Sequence, residues 1–313
     1  MLKTSYLVAT ALLFGAGVLS AAERVEKYEW PVGDHPIIKV ETFRGEIRVV
    51  PSESGKVSFA LKASAGGPNA EGWLEQISVS TQPFGAGMVV SVKRQGLGLE
   101  LTPERQPRRD IELVLEVPMV CSLDLKSELG RIEVADGIQG HLRARSSRGD
   151  VFFGHVGGSV KIETGSGVIN VERVEGDLLA QNAFGDIHVG TVKGKADLTA
   201  EHGSIEILSS LGGMMAKAVK GNVQAGISRF VADDTSIHAI AGDVLVRVDP
   251  ASSLTVDARS SWGKVRSSLD VDASGKKARR SRLSGILNGG GPLLALKASG
   301  GNVHIQPEPI HVF

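Results

Sequence analysis

Short runs of alternating apolar and polar residues fill most of this chain, and between residues 130 and 221 they keep a fixed beat. Glycine returns at 130, 149, 167, 185, 203 and 221, in steps of 19, 18, 18, 18 and 18. Two residues on from these glycines stand Ile132, Val151, Ile169, Ile187, Ile205 and Val223; four residues on stand Val134, Phe153, Val171, Val189, Ile207 and Ala225. β-Branched residues in alternate places predict a strand with one face turned inward. A second glycine at 140, 158, 176, 194 and 212 precedes another such strand, as in Leu178 and Ala180 or Met214 and Ala216. Seven residues after the first glycine, Val156, Val174 and Val192 act as corner fillers. One repeat is therefore a coil of two short strands and two glycine turns, which cannot bury its apolar side alone. In-register stacking pairs coil to coil around a continuous aliphatic core, so the pattern predicts an all-β β-solenoid of ~18-residue coils. A right-handed path is expected, because the hexapeptide beat of three-sided left-handed helices is missing. Gly130, Gly149, Gly167, Gly185, Gly203 and Gly221 are assigned as turn glycines that supply positive φ.

The two ends of the chain depart from this beat. Thr42 to Val49 resembles a first coil strand, and Val57 to Ala63, Ile77 to Ser80, Met88 to Lys93 and Ile111 to Val117 alternate like further strands. Glu71 to Glu75 fits a short helix or a loop. Residues 23–120 are thus expected to form a β-rich N-terminal cap continuous with the solenoid of 121–313. A basic loop over 274–285 and a closing coil at Leu294 to Ile305 complete that solenoid.

Two columns of the repeat carry candidate function. Three residues before the glycine stand Ser127, Ser146, Thr164, Asn182 and Ser260, replaced by Ala200, Ala218 and Ala239 elsewhere. Small polar residues there bond turn backbone or one another across coils, and this outweighs a ligand ladder. The residue just before the glycine varies freely, as an exposed turn tip would. Phe184 and Trp262 occupy that place and are expected to be exposed. With Lys276, Lys277, Arg279, Arg280 and Arg282 of the basic run they make the candidate binding surface.

Composition narrows the function. The first 22 residues fit a secretory signal: Lys3, an apolar stretch from Leu7 to Leu19, and small residues Ser20, Ala21 and Ala22 before the cut. No mature segment is long and apolar enough to span a membrane as a helix. Basic and acidic residues balance at 35 each with pI near 7.1, so no overall field points to nucleic acid. Cys121 is the only cysteine and fits a small buried hydrophobe. Gly-Asp recurs at 149, 185 and 242, but the nonapeptide spacing of calcium β-rolls is absent, and the aspartates are read as solvating the strand start. The eight histidines share no column, so no metal and no cofactor is expected. Neither a G-x-S-x-G elbow, an H-E-x-x-H pair nor a P-loop is present.

The repeated halves Gly185-Asp186-Ile187-His188-Val189 and Val192-Lys193-Gly194-Lys195-Ala196, with the ending Asn288 to Gly291 and Ser299 to Ile305, carry a family likeness. Over residues 37 to 306 the chain resembles the bacterial putative-adhesin family of unknown function. The resemblance implies a β-solenoid of the bacterial envelope and adhesion, and it supplies no catalytic residues. The expectation is a non-enzymatic exported protein, periplasmic or at the cell surface, acting as an adhesin-like binding or scaffold surface. Its expected partners are envelope polysaccharide, an anionic surface or a protein. A polysaccharide-acting β-helix enzyme is the alternative, disfavoured by scattered acids and only 4% aromatic residues. A periplasmic partner of an envelope-stress regulatory system is the second alternative.

Overall fold

A computed structural model describes residues 11–12, 21–67, 69–95, 109–273 and 280–308. The fold is all-β, with long stacks of parallel strands in two sheets and one short helix, Ala70–Glu75, among the described residues. The chain divides into two compact units, Met1–Phe152 and Phe153–Phe313.

In the second unit the repeat becomes rungs. Ile169 pairs with Ile187 and Ile187 with Ile205 in parallel register, and none of the three is exposed. The opposite sheet is built in the same way, Leu178 lying beside Ala196 and Ala196 beside Met214. Both rows face the space between the sheets, where each buried Ile or Leu contributes roughly 1.5–3 kcal/mol. The 18-residue beat ends at Gly221. Gly221 to Gly242 is 21 residues, and the surplus forms the loop 228–234, held by the Ala232 N–H to the Leu211 carbonyl at 2.8 Å.

Past residue 248 the order in space leaves the order in sequence. Strands Thr235–Ala241 and Val244–Val248 pair with Leu293–Ala298 and Val303–Pro307. Those two in turn pair with Leu254–Ser260 and Val265–Ser267. The C-terminal coil is thus inserted between rungs, and 254–267 lies outside it. Arg282–Leu287 then adds antiparallel to Leu254–Ser260. An antiparallel cover blunts an edge that would otherwise recruit another strand.

The first unit uses the same device. Strands Ile37–Thr42 and Glu46–Ser52 form a coil paired with Ser122–Leu129 and Ile132–Val134 on one side. On the other side they meet Gly87–Arg94 and Arg109–Pro118. Antiparallel strands Lys56–Gly66, Ile77–Phe84 and Ala21–Pro31 close the stack. Glu26 is buried here and bonds both the Tyr28 hydroxyl and Arg24. Arg24 also donates 3.0 Å bonds to the carbonyls of Leu74 and Ile77, so this ionic cluster fastens the helix to the strand.

Candidate functional site

The recurring glycines are steric as well as conformational. Gly185 has φ +132°, and a Cβ on it would lie 2.0 Å from the Gly167 carbonyl oxygen. Gly203 lacks the positive φ expected of it, yet its Cβ would lie 2.0 Å from the Gly185 oxygen. The correction is physical: glycine is required because each turn presses on the turn before it, whatever its φ.

The residue after the glycine has a role that the repeat pattern conceals. Asp186 Oδ1 accepts the Ser204 N–H at 2.7 Å, Asn222 Oδ1 the Asp243 N–H at 2.8 Å, and Asp243 Oδ1 the Asn302 N–H at 2.6 Å. These side chains staple one rung to the next, which is a more definite task for Gly-Asp than solvating a strand start. The column three before the glycine faces inward. Asn182 is buried, donates to the Gly167 carbonyl at 2.8 Å and accepts the Phe184 N–H at 3.1 Å. Ser127 and Ser146 are buried, and among the described residues their hydroxyls have no hydrogen-bond partner.

Turn tips are exposed as expected. Phe184 is 56% exposed and stacks on His202 at 4.6 Å between ring centroids. Trp262 is 89% exposed. The Ser260 and Val265 N–H groups that flank its turn bond the Ser281 and Arg280 carbonyls at 2.9 and 3.0 Å. The structure therefore brings Trp262 beside the end of the basic run and leaves Phe184 several rungs away. Lys276, Lys277 and Arg279 lie outside the described residues. Arg280 is in an exposed turn, and Arg282 opens the antiparallel strand with its Nε 3.7 Å from Asp257 Oδ1.

Other titratable groups are already engaged. Glu175 receives Lys193, Arg173 (2.8 Å) and His155 (3.1 Å), and Lys193 followed by Arg173 pulls its carboxyl down to about 2. Cys121 is buried, which pushes its thiol up to about 12 and keeps it unreactive. A groove of about 880 Å³ lies on the second unit's outward face, lined by Met215, Asp233, Asp234, Pro292 and Leu293. Two of its three acids are in use: Asp234 Oδ1 accepts the Leu293 N–H at 2.7 Å, and Asp233 sits 3.4 Å from Lys195, while Asp197 is exposed on the groove wall. Among the described residues no group of three or more His, Cys, Asp and Glu is placed to hold a metal ion. Nor is any described helix long and apolar enough to cross a membrane.

The fold and these sites define an all-β protein of parallel strands stacked in two sheets, with aromatic side chains exposed at its turn tips. The chain belongs to the Toastrack DUF4097 family, whose model matches residues 38–306. No curated protein matches it. Among solved structures it is similar to a putative adhesin from Bacteroides fragilis, 12% identical with TM-score 0.38, over 91% of this chain and 97% of the other. A putative adhesin from Parabacteroides distasonis is 11% identical with TM-score 0.37, over 91% and 97%. A putative lipid binding protein from the same species is 9% identical with TM-score 0.28, over 90% and 96%.

Proposed function

We propose that this protein is an exported, non-enzymatic envelope component that works as an adhesin-like surface, holding an anionic partner at the Trp262 end of its second unit. The observation that carries the reading is the bare indole. A tryptophan 89% exposed forgoes the burial that its large apolar area normally secures, and the turn that carries it is hydrogen-bonded to the backbone at Arg280. An apolar plate at the end of a basic run suits the C–H face of a sugar together with its acidic substituents. The engagement of Asp233 and Asp234 in the groove and the saturated Glu175 support the non-enzymatic half of the proposal. Export is supported by Lys3, the Leu7 to Leu19 stretch and the Ser20-Ala21-Ala22 site, which places the mature terminus at Glu23.

The test is a panel of neutral and acidic glycans presented to the purified protein, with Trp262→Ala beside the wild type. Saturable binding without new reducing ends, weakened in the variant, is the expected result. Release of shortened glycan would overturn the non-enzymatic reading. Equal binding by Trp262→Ala would remove this surface from it. N-terminal sequencing of the protein from the cell envelope fraction is expected to begin at Glu23; a terminus within residues 1–10 refutes cleavage.

A further inference from the structure

One sheet of the second unit turns outward a basic side chain on each of five adjacent strands. Lys217 lies opposite His238, His238 opposite Lys297, Lys297 opposite Arg259, and Arg259 opposite Arg282. Paired strands sit about 4.8 Å apart, so the row runs roughly 19 Å along the stacking direction. Asp257 bonds Arg259 Nε at 3.1 Å and approaches Arg282, which neutralises that end. The other end has no carboxylate in contact: Asp197, opposite Met215, and Asp257, opposite Ala295, stand diagonal to Lys217 and Lys297. Among the described residues neither Lys217 nor Lys297 has a carboxylate within 4.0 Å. Other side chains on the outward face of their three strands are Met215, Val219, Ser236, Ile240, Leu293 and Ala295, none of them acidic.

Like charges on neighbouring strands repel, and a sheet normally interleaves acids among them. Here the acids stand only at the diagonals, no carboxylate contacts either lysine, and the side chain between the two lysines registers the repulsion. His238 loses basicity through partial burial first and then through Lys297 and Lys217, while its Nε2 meets Ser299 Oγ at 3.2 Å. Met215 and Leu293 on one side of the row and Ile240 on the other are 58%, 38% and 36% exposed. The row is therefore a cationic line between apolar shoulders.

We propose that this row is a binding site for a linear acidic polysaccharide lying along the stack, its acid groups over Lys217, His238 and Lys297 and its sugar faces on the apolar shoulders. A polymer with one acid per sugar repeats on a length comparable to one rung, so successive acids meet successive cations without bending the chain. Nucleic acid fits less well, since the row carries no aromatic platform for base stacking. The inference rests on the binding reading above but uses a different surface, so the two fail separately.

Polygalacturonate and a phosphate-bearing mannan serve as probes, with neutral galactan as control, in calorimetry on the purified protein at 50 mM salt. The wild type is expected to bind at least one acidic probe, more weakly as salt rises. The double substitution Lys217→Glu with Lys297→Glu is expected to lower that affinity at least tenfold. Lys62→Glu, on the first unit, leaves it unchanged. Both lysines are exposed, so circular dichroism and melting of the double variant should match the wild type. In proton NMR the His238 ring is expected to titrate at higher pH when the probe is bound, because the ligand's charge offsets Lys217 and Lys297. The proposal is overturned if neither acidic probe binds, if galactan or anionic lipid vesicles bind while the acidic probes do not, or if the double variant keeps wild-type affinity. Loss of binding in Trp262→Ala alone would sink the row and leave the end surface standing.

Discussion

Replacing Gly203 with alanine separates two reasons for a glycine at a turn in this fold. If backbone freedom were the requirement, Gly203 would be dispensable, since its φ lies outside the positive range. Alanine would then restrict the unfolded chain and stabilise the protein by about 0.4–1 kcal/mol. Packing gives the opposite sign. The added Cβ would lie 2.0 Å from the Gly185 oxygen, 2.5 Å from its carbonyl carbon and 3.1 Å from the Asp186 nitrogen. Reaching even 3.0 Å requires the rungs to part by about 1 Å, and every atom met is backbone. The bonds at risk are Gly185 N–H to His202 O at 2.8 Å and Ser204 N–H to Asp186 Oδ1 at 2.7 Å. Losing one or two of these at about 1 kcal/mol each, with overpacking strain of about 1–3 kcal/mol, predicts a destabilisation of roughly 2–5 kcal/mol. The control is Gly72→Ala, in the helix Ala70–Glu75 with nothing within 4 Å of its Cβ. It is expected to stabilise by about 0.5–1 kcal/mol. Stacked repeats need not unfold in one step. Urea titrations should therefore be read by hydrogen-exchange protection of peptides spanning residues 185–221. A Gly203→Ala protein with unchanged or greater protection refutes the packing argument.

Three further perturbations test the stack and its polar links. Ile187→Ala opens a cavity between Ile169 and Ile205 and should cost roughly 2–5 kcal/mol in urea unfolding, whereas His188→Val, on the outward face, should change it by less than about 0.5 kcal/mol. Asn182→Ala strands the Gly167 carbonyl and Phe184 N–H and should cost about 1–3 kcal/mol, while Ser127→Ala and Ser146→Ala, which remove hydroxyls without partners, should be neutral or stabilising by up to about 1 kcal/mol. Glu175 has its carboxyl lowered from 4.5 to about 2 by Lys193 and then Arg173, so its contribution is full above pH 4.5 and fades as pH falls toward 2. The melting-temperature gap between wild type and Glu175→Gln is expected to close over that window; a gap that stays constant or widens on acidification contradicts the assignment.

Local periodicity made the rungs legible. The columns two and four after the glycine are buried without exception from Ile132 to Ile207, and Val156, Val174 and Val192 fill their corner fully. Phe184 and Trp262 are exposed because a turn tip has no rung to bury it. What stayed hidden was of two kinds. The Asp186, Asn222 and Asp243 staples are made by side chains that vary between Asp and Asn, so identity obscured a shared acceptor role. The insertion of 293–307 between 235–248 and 254–267 could not be seen because strand order is not written in a period.

That insertion also accounts for the hidden basic row. Lys217 falls 14 residues after its glycine, His238 17 residues after Gly221 because of the loop 228–234, and Lys297 and Arg259 belong to coils out of sequential order. Counted along the chain these residues occupy different places; counted across the sheet they are one line. The outward faces of this fold are therefore written by pairing, while its core is written by period. The core can keep its repeat while the outward pattern is rearranged by a loop of seven residues and a displaced terminal coil. Shortening that loop by three residues would restore the 18-residue step between Gly221 and Gly242. The inward columns would remain filled, but the groove lined by Asp233 and Asp234 would open and the Ala232 N–H to Leu211 carbonyl tie would be lost. Such a variant should still fold and still present Lys217 beside His238, since that pairing belongs to the strands. If it unfolds, the loop carries structural weight that the strand register alone does not explain.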